Sequence, residues 1–208
     1  MNRTVFRLFV TLTLLLGGIG AMWGASAGEV LIKRCADRIR SAGSLHVAYT
    51  VTADGQSSQG MLVVQGDRFT VSSPQMMSWY DGHTQWTYSV HIGEVNVITP
   101  TPDEVRQINP MSILKDFATN YTVSTPTRKA DGKTEVSLTA RNRRDDIQAV
   151  DLTIDDKTDY PARIVLRMSN HQNVTIVVNT IATGKPLPEA TFRFDAKKFP
   201  GVQVVDLR

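Results

Sequence analysis

From Glu29 to Ala42 the apolar residues Ile32, Cys35, Ile39 and Ala42 are spaced three, four and three apart, with Lys33, Arg34, Asp37, Arg38 and Arg40 between them. That spacing gathers them on one side of a 3.6-residue helix, so the segment is predicted to be an amphipathic helix. Glu29 at its start and Arg38 and Arg40 near its end complement the helix dipole. Gly43 is the expected stop. Cys35 lies on the apolar stripe, where a thiol serves as a small hydrophobe.

After Gly43 the period changes to two. Leu45, Val47, Tyr49 and Val51 alternate with His46, Ala48, Thr50 and Thr52, the signature of a half-buried strand. Asp54-Gly55, Gly66-Asp67 and Asp81-Gly82 read as tight turns between successive strands, and Gly93 as another. The strands they separate are Gly60 to Gln65, Arg68 to Ser73, Met76 to Tyr80, Thr84 to Val90 and a short one through Val95 and Val97. The grammar repeats in Thr134 to Ala140, Gln148 to Ile154, Ala162 to Met168 and Asn173 to Ile181. Ten or eleven strands joined by short polar turns predict an antiparallel meander.

One stretch interrupts the alternation. Thr101, Pro102 and Glu104 form a capping box with proline at the first helical position, which predicts a short helix to Ile108. Asn109-Pro110 can begin a second, carrying Met111, Ile113, Leu114 and Phe117. Two short apolar helices inserted between strands of a curved sheet are expected to cover its concave face.

The amino terminus reads as an address. A basic segment with Arg3 and Arg7, an apolar run from Leu8 to Leu16, and small residues ending in Ala25-Ser26-Ala27 are the parts of a secretory signal peptide. Cleavage is expected after Ala27, leaving an exported domain from Gly28 to Arg208 in the periplasm. No lipobox precedes Cys35. The formal charge of +3 falls to +1 without this segment, since the remainder holds 21 basic and 20 acidic residues. That is too even for a nucleic-acid-binding surface. A single cysteine among 208 residues excludes an intramolecular disulfide framework and a multi-thiolate zinc site.

The chain contains no G-x-S-x-G, H-E-x-x-H, C-x-x-C or phosphate-binding glycine loop. Asp145 and Asp146, and Asp155, Asp156 and Asp159, fall at turns and read as solvated turn residues rather than catalytic or metal-binding pairs. His83 and His91 flank an aromatic strand and read as surface hairpin residues. The concentrated signal is apolar: Phe69, Met76, Met77, Trp79, Tyr80, Trp86 and Tyr88 lie within twenty residues, followed by Met111, Ile113, Leu114 and Phe117. For any one of them an ordinary core is the simplest assignment. Together they suit the wall and lid of a cavity that adapts to flexible acyl chains.

These residues carry a resemblance. The hairpin from Trp79 through Asp81, Gly82, Trp86 and Tyr88 resembles the D-G-K-x-x-W-x-Y hairpin of the periplasmic outer-membrane lipoprotein carriers, the LolA type. The closing Phe192-Arg193-Phe194 and Pro200 to Asp206 is similar to that family's tail, and the Asn109-Pro110 helix stands where the family has its lid. The resemblance implies an incomplete antiparallel β-barrel of about eleven strands, with an N-terminal helix and lid helices over an apolar cavity. It also implies a monomeric chaperone that takes acylated lipoproteins from an inner-membrane ABC-type transporter to an outer-membrane acceptor. No cofactor, metal or catalytic residue is called for, and nucleic acid is no partner. Two rivals are an exported lipid- or lipoprotein-binding sensor or inhibitor of the same fold, and an enzyme acting on envelope lipids. The family's turn arginine is missing, with Gln65-Gly66-Asp67 in its place, so Arg68 is the candidate for lid control. The register decides whether Arg68 faces the lid, and the solvent-facing register is expected, with the lid held by apolar contacts.

Overall fold

The computed structural model describes residues 25–208. The expected signal segment therefore lies outside the described residues except for Ala25 to Ala27. The first helix, α1, spans Ala27–Arg40, two residues earlier at both ends than the apolar spacing predicts. Its start is fixed by a capping box: the Ser26 hydroxyl accepts from the Glu29 amide at 3.2 Å, and the Glu29 carboxylate accepts from the Ser26 amide at 2.7 Å. Ser41 closes its end. Gly43 is needed for space rather than as a left-handed cap, because a Cβ there would lie 2.7 Å from the Gly184 carbonyl oxygen. Gly28 is confined in the same way, since a Cβ there would clash with the Ser124 carbonyl oxygen.

The remainder is mainly one large sheet. Strands β1 (Ser44–Ala53), β2 (Gln56–Gln65), β3 (Arg68–Ser72), β4 (Met76–Tyr80), β5 (Gln85–Ser89) and β6 (Glu94–Ile98) form one antiparallel meander. Helices α2 (Pro102–Ile108) and α3 (Ile113–Asn120) follow, linked by a 3-10 turn over Pro110–Ser112. Short β7 (Tyr121–Val123) and β8 (Thr127–Arg128), then β9 (Lys133–Ala140), β10 (Ile147–Asp155), β11 (Pro161–Met168) and β12 (Asn173–Gly184), make a second antiparallel group. The two halves join along β1 and β12, with a bulge at Ala48 and Tyr49. After a tail that makes two 3-10 turns, β13 (Gln203–Asp206) adds to β6.

The sheet departs from the sequence expectation in two ways. It has thirteen strands rather than ten or eleven, three more than the ten runs that alternation marks out. The extra ones, β7, β8 and β13, are two to four residues long, too short for alternation to register. Nor is it antiparallel throughout, since β13 runs parallel to β6. The strand order ends in β13 on one side and β7 on the other, so the barrel is unclosed.

One face of the sheet carries the core. Val136, Leu138, Val150, Leu152, Ile164 and Leu166 pack against Leu31, Ile32 and Cys35 of α1 and Ile113, Leu114 and Phe117 of α3. Leu45, Val47, Leu62, Val64, Phe69 and Val71 continue the layer toward Met111 and Tyr160. Directly paired residues share a face of a sheet, and successive residues alternate.

Candidate functional site

Where α1, α2 and α3 meet the ends of β2 and β4 there is a cavity of about 680 Å³. Its apolar wall is Ile39 of α1, Val64 of β2, Tyr80 of β4, Val105 of α2, Met111 and Leu114. Arg40, Asp67, Arg106, Lys115 and Asp116 add charge to the lining. The β2–β3 turn that forms part of the rim depends on Gly66, whose φ of +60° lies in the left-handed region.

The helices over this cavity are not equivalent. In α3, Ile113, Leu114 and Phe117 are buried. Each such side chain contributes roughly 1.5–3 kcal/mol on burial, so lifting α3 would cost about as much as a typical domain's whole stability. No residue of helix α2 is fully buried, and its Val105 and Ile108 pack partly buried against the core. Its Thr101–Glu104 capping box is formed as the sequence predicts. Polar contacts add to this packing: Gln107 Nε2 donates to Asp146 Oδ2 at 2.8 Å, and Arg106, which also bonds Asp103 of its own helix, lies 3.5 Å from Asp116. Asp116 has non-helical backbone angles that break α3, and its Oδ1 is buried without a hydrogen-bond partner.

Of the expected cavity and lid residues, Met111 and Leu114 line the cavity. Phe69 is fully buried in the layer beneath it, its ring 5.2 Å from Tyr80. Ile113 and Phe117 belong to the core between α1 and the second half of the sheet. Met76 shares the helix-covered face but is absent from the cavity wall. Met77, Trp79, Trp86 and Tyr88 lie on the opposite face. Phe69 pairs with Tyr80, which places Trp79 on the other side; Trp79 pairs with Trp86, and Met77 with Tyr88. There the C-terminal tail packs on two of them: Trp79 meets Phe194 and Phe199 at ring separations of 5.6 Å, and Tyr88 meets Phe199 at 5.1 Å.

Arg68 also faces away from α2 and α3. Its guanidinium lies 5.4 Å from the Phe192 ring and donates to Glu189 at 3.2 Å. Its neighbour Asp67 turns toward the helices and pairs with Lys115 of α3 at 2.8 Å. The β2–β3 turn thus supplies the acid and the helix the base. Both side chains are mostly exposed, so the pair contributes less than about 1 kcal/mol. Sequence reasoning counted Tyr80 in the apolar cluster but missed Asp67, Lys115, Ile39, Val64 and Val105 as cavity residues; a pairing of charge between turn and helix is the signal that could have found the first two.

Burial, reinforced by the Asp159 carboxylate, pushes the Cys35 thiol up to about 12, and the group is inert as a nucleophile. Among the described residues no cluster of three metal-ligating side chains occurs. Ser44 Oγ approaches His46 Nε2 at 3.4 Å but donates to the Lys185 carbonyl at 2.9 Å.

The fold is thus an unclosed, almost wholly antiparallel sheet with helices packed over its apolar face and a cavity at their junction. The chain belongs to the family described as outer membrane lipoprotein carrier protein LolA, whose match runs over residues 24–170. No curated protein matches the chain. Among solved structures, an uncharacterized conserved protein from Thermus thermophilus is similar at a TM-score of 0.58 and 11% identity, covering 86% of this chain and 98% of that one. A DUF1329 family protein from Desulfovibrio piger is similar at a TM-score of 0.51 and 9% identity, covering 84% and 98%. A LolA superfamily protein from Nitrosomonas europaea has a TM-score of 0.45 and 11% identity, covering 80% and 97%.

Proposed function

We propose that this protein is a periplasmic chaperone that shelters acyl chains of lipoproteins in the helix-covered cavity and carries them from the inner to the outer membrane. The observation that supports it is the apolar wall of Ile39, Val64, Tyr80, Val105, Met111 and Leu114 around about 680 Å³, in a chain of the LolA family. Each methylene moved from water to such a wall contributes about 0.8 kcal/mol, so one chain supplies ample affinity and release becomes the demanding step. On this reading the segment before Gly28 is a cleaved export signal, the donor is an inner-membrane ABC-type transporter, and an outer-membrane acceptor takes the cargo. The protein binds and hands on, and no side chain has a catalytic role.

The test is depletion in the native cell followed by membrane fractionation. Accumulation of acylated lipoproteins in the inner membrane, with the acylated species bound stoichiometrically to affinity-purified protein, is the expected result. Unaltered sorting, with only free lipid recovered on the protein, would favour a lipid-binding sensor instead.

A further inference from the structure

Resting on the acyl-binding reading above, we propose that Gln85 of β5 forms a head-group subsite beside the cavity. Its side-chain oxygen accepts a hydrogen bond from the N–H of an amide-linked acyl chain, and so selects amide-linked chains over ester-linked ones and over free fatty acids.

Gln85 is 2% exposed, and its Oε1 has no hydrogen-bond partner among the described residues. The neighbouring hydroxyls fix which end of the carboxamide is left over. Ser78 Oγ donates its single proton to the Trp86 carbonyl at 3.2 Å. The 3.1 Å bond between Ser78 and Thr87 is therefore donated by Thr87, and Thr87 Oγ1 in turn accepts from Gln85 Nε2 at 3.0 Å. Turning the carboxamide over would set its oxygen against the lone pairs of Thr87, whose only proton is already committed. The nitrogen points along β5 to Thr87, away from the β4–β5 turn, and the oxygen is directed back toward that turn. The cavity wall begins there. Tyr80 is the direct partner of Gln85 in β4 and shares its face, Gly82 lies in the turn, and Pro100 stands just beyond Ile98, the partner in β6.

A buried acceptor without a donor is a standing cost to the fold, relieved when a donor arrives. The chemistry of acyl head groups then decides the ligand. An ester offers acceptors and no donor. A fatty acid is a carboxylate at neutral pH, and its charge is repelled by the Gln85 oxygen. Of the three, the amide alone presents a proton next to the chain. The subsite thus distinguishes a polypeptide acylated on its terminal nitrogen from membrane phospholipids, whose chains are ester-linked.

The test is a matched pair of short fluorescent peptides, titrated with mature protein below their aggregation threshold and read by anisotropy. One carries palmitoyl as an amide on its terminal glycine; the other carries it as an ester on a glycolic acid in place of that glycine, so that N–H is exchanged for O and nothing else changes. The native protein should bind the amide about tenfold more tightly, the effect of satisfying one buried acceptor. Gln85→Met keeps the length of the side chain and removes the acceptor, and should bring the two affinities within twofold of each other by weakening the amide alone. Equal affinity of the native protein for the two peptides, which needs no variant to measure, overturns the subsite while the acyl-binding reading stands. So does a preference that survives in folded Gln85→Met. Failure of both peptides to bind overturns both.

Discussion

Asp67 and Arg68 are adjacent, yet the β2–β3 turn and strand alternation send them to opposite sides of the sheet, one to Lys115 and the other to Phe192 and Glu189. The arginine therefore fastens the tail. Replacing it by leucine removes an exposed ion pair and a cation–π contact, together about 1 kcal/mol, which lowers Tm by about 2–4 °C. Acyl-probe binding by Arg68→Leu should stay within twofold of the native value, while limited proteolysis cuts the tail sooner; lost binding with an intact tail would place Arg68 at the lid after all. Asp81 is a second fastener, accepting from the Thr84 and His83 amides and pairing with Arg193 at 3.0 Å. Partial burial raises its pKa, but these donors and the guanidinium outweigh it and hold the carboxyl below the ordinary 3.8. Its contribution is therefore complete above 3.8 and lost as pH falls through the lower folded value. Asp81→Asn should flatten the acid limb of the Tm–pH curve, and an unaltered acid limb would show that Asp81 does not fasten the tail.

At the scale of elements, α2 and α3 divide the work that the sequence assigns jointly to a lid. Leu114→Ala should cost about 2–5 kcal/mol of unfolding free energy, whereas Val105→Ala should cost less than about 1 kcal/mol and act on ligand affinity. Hydrogen exchange should find α2 amides opening well before those of α3; equal protection would mean the helices move as one. Much of this was legible in advance. The period-two runs, the turns at Asp54-Gly55, Gly66-Asp67 and Asp81-Gly82, and the Thr101 capping box all reappear where the residues place them. The facing of β4 was not legible. Met76, Met77, Trp79 and Tyr80 put large side chains on both faces, because helices cover one and the tail covers the other, and alternation then carries no sign. In β5 the alternation is clear, but Trp86 and Tyr88 point at the tail, while Gln85 and Ser78 are the buried polar residues on the helix side. The capping serine of α1 was hidden for another reason: Ser26 reads equally well as the middle of a cleavage site.

For the whole molecule the sheet has two distinct faces, one that bounds the cavity under the helices and one closed by an aromatic cluster of Trp79, Tyr88, Phe194 and Phe199. Trp79 and Trp86, the tryptophans of the chain after Gly28, lie on the second. Saturating acyl ligand should therefore leave tryptophan emission nearly unchanged, while Phe199→Ala shifts it; a ligand-dependent shift in the native protein would mean that cavity and tail are coupled. The central claim is that acyl chains occupy the space bounded by α2 and the end of β2. A photo-crosslinking residue placed at Val105, and separately at Val177 on the far face, tests it in the native cell. Crosslinks to acylated lipoproteins from position 105 and none from 177 are the expected outcome. Crosslinks from 177 with none from 105 would contradict it, and would move the cargo to the face that the structure leaves outside the cavity.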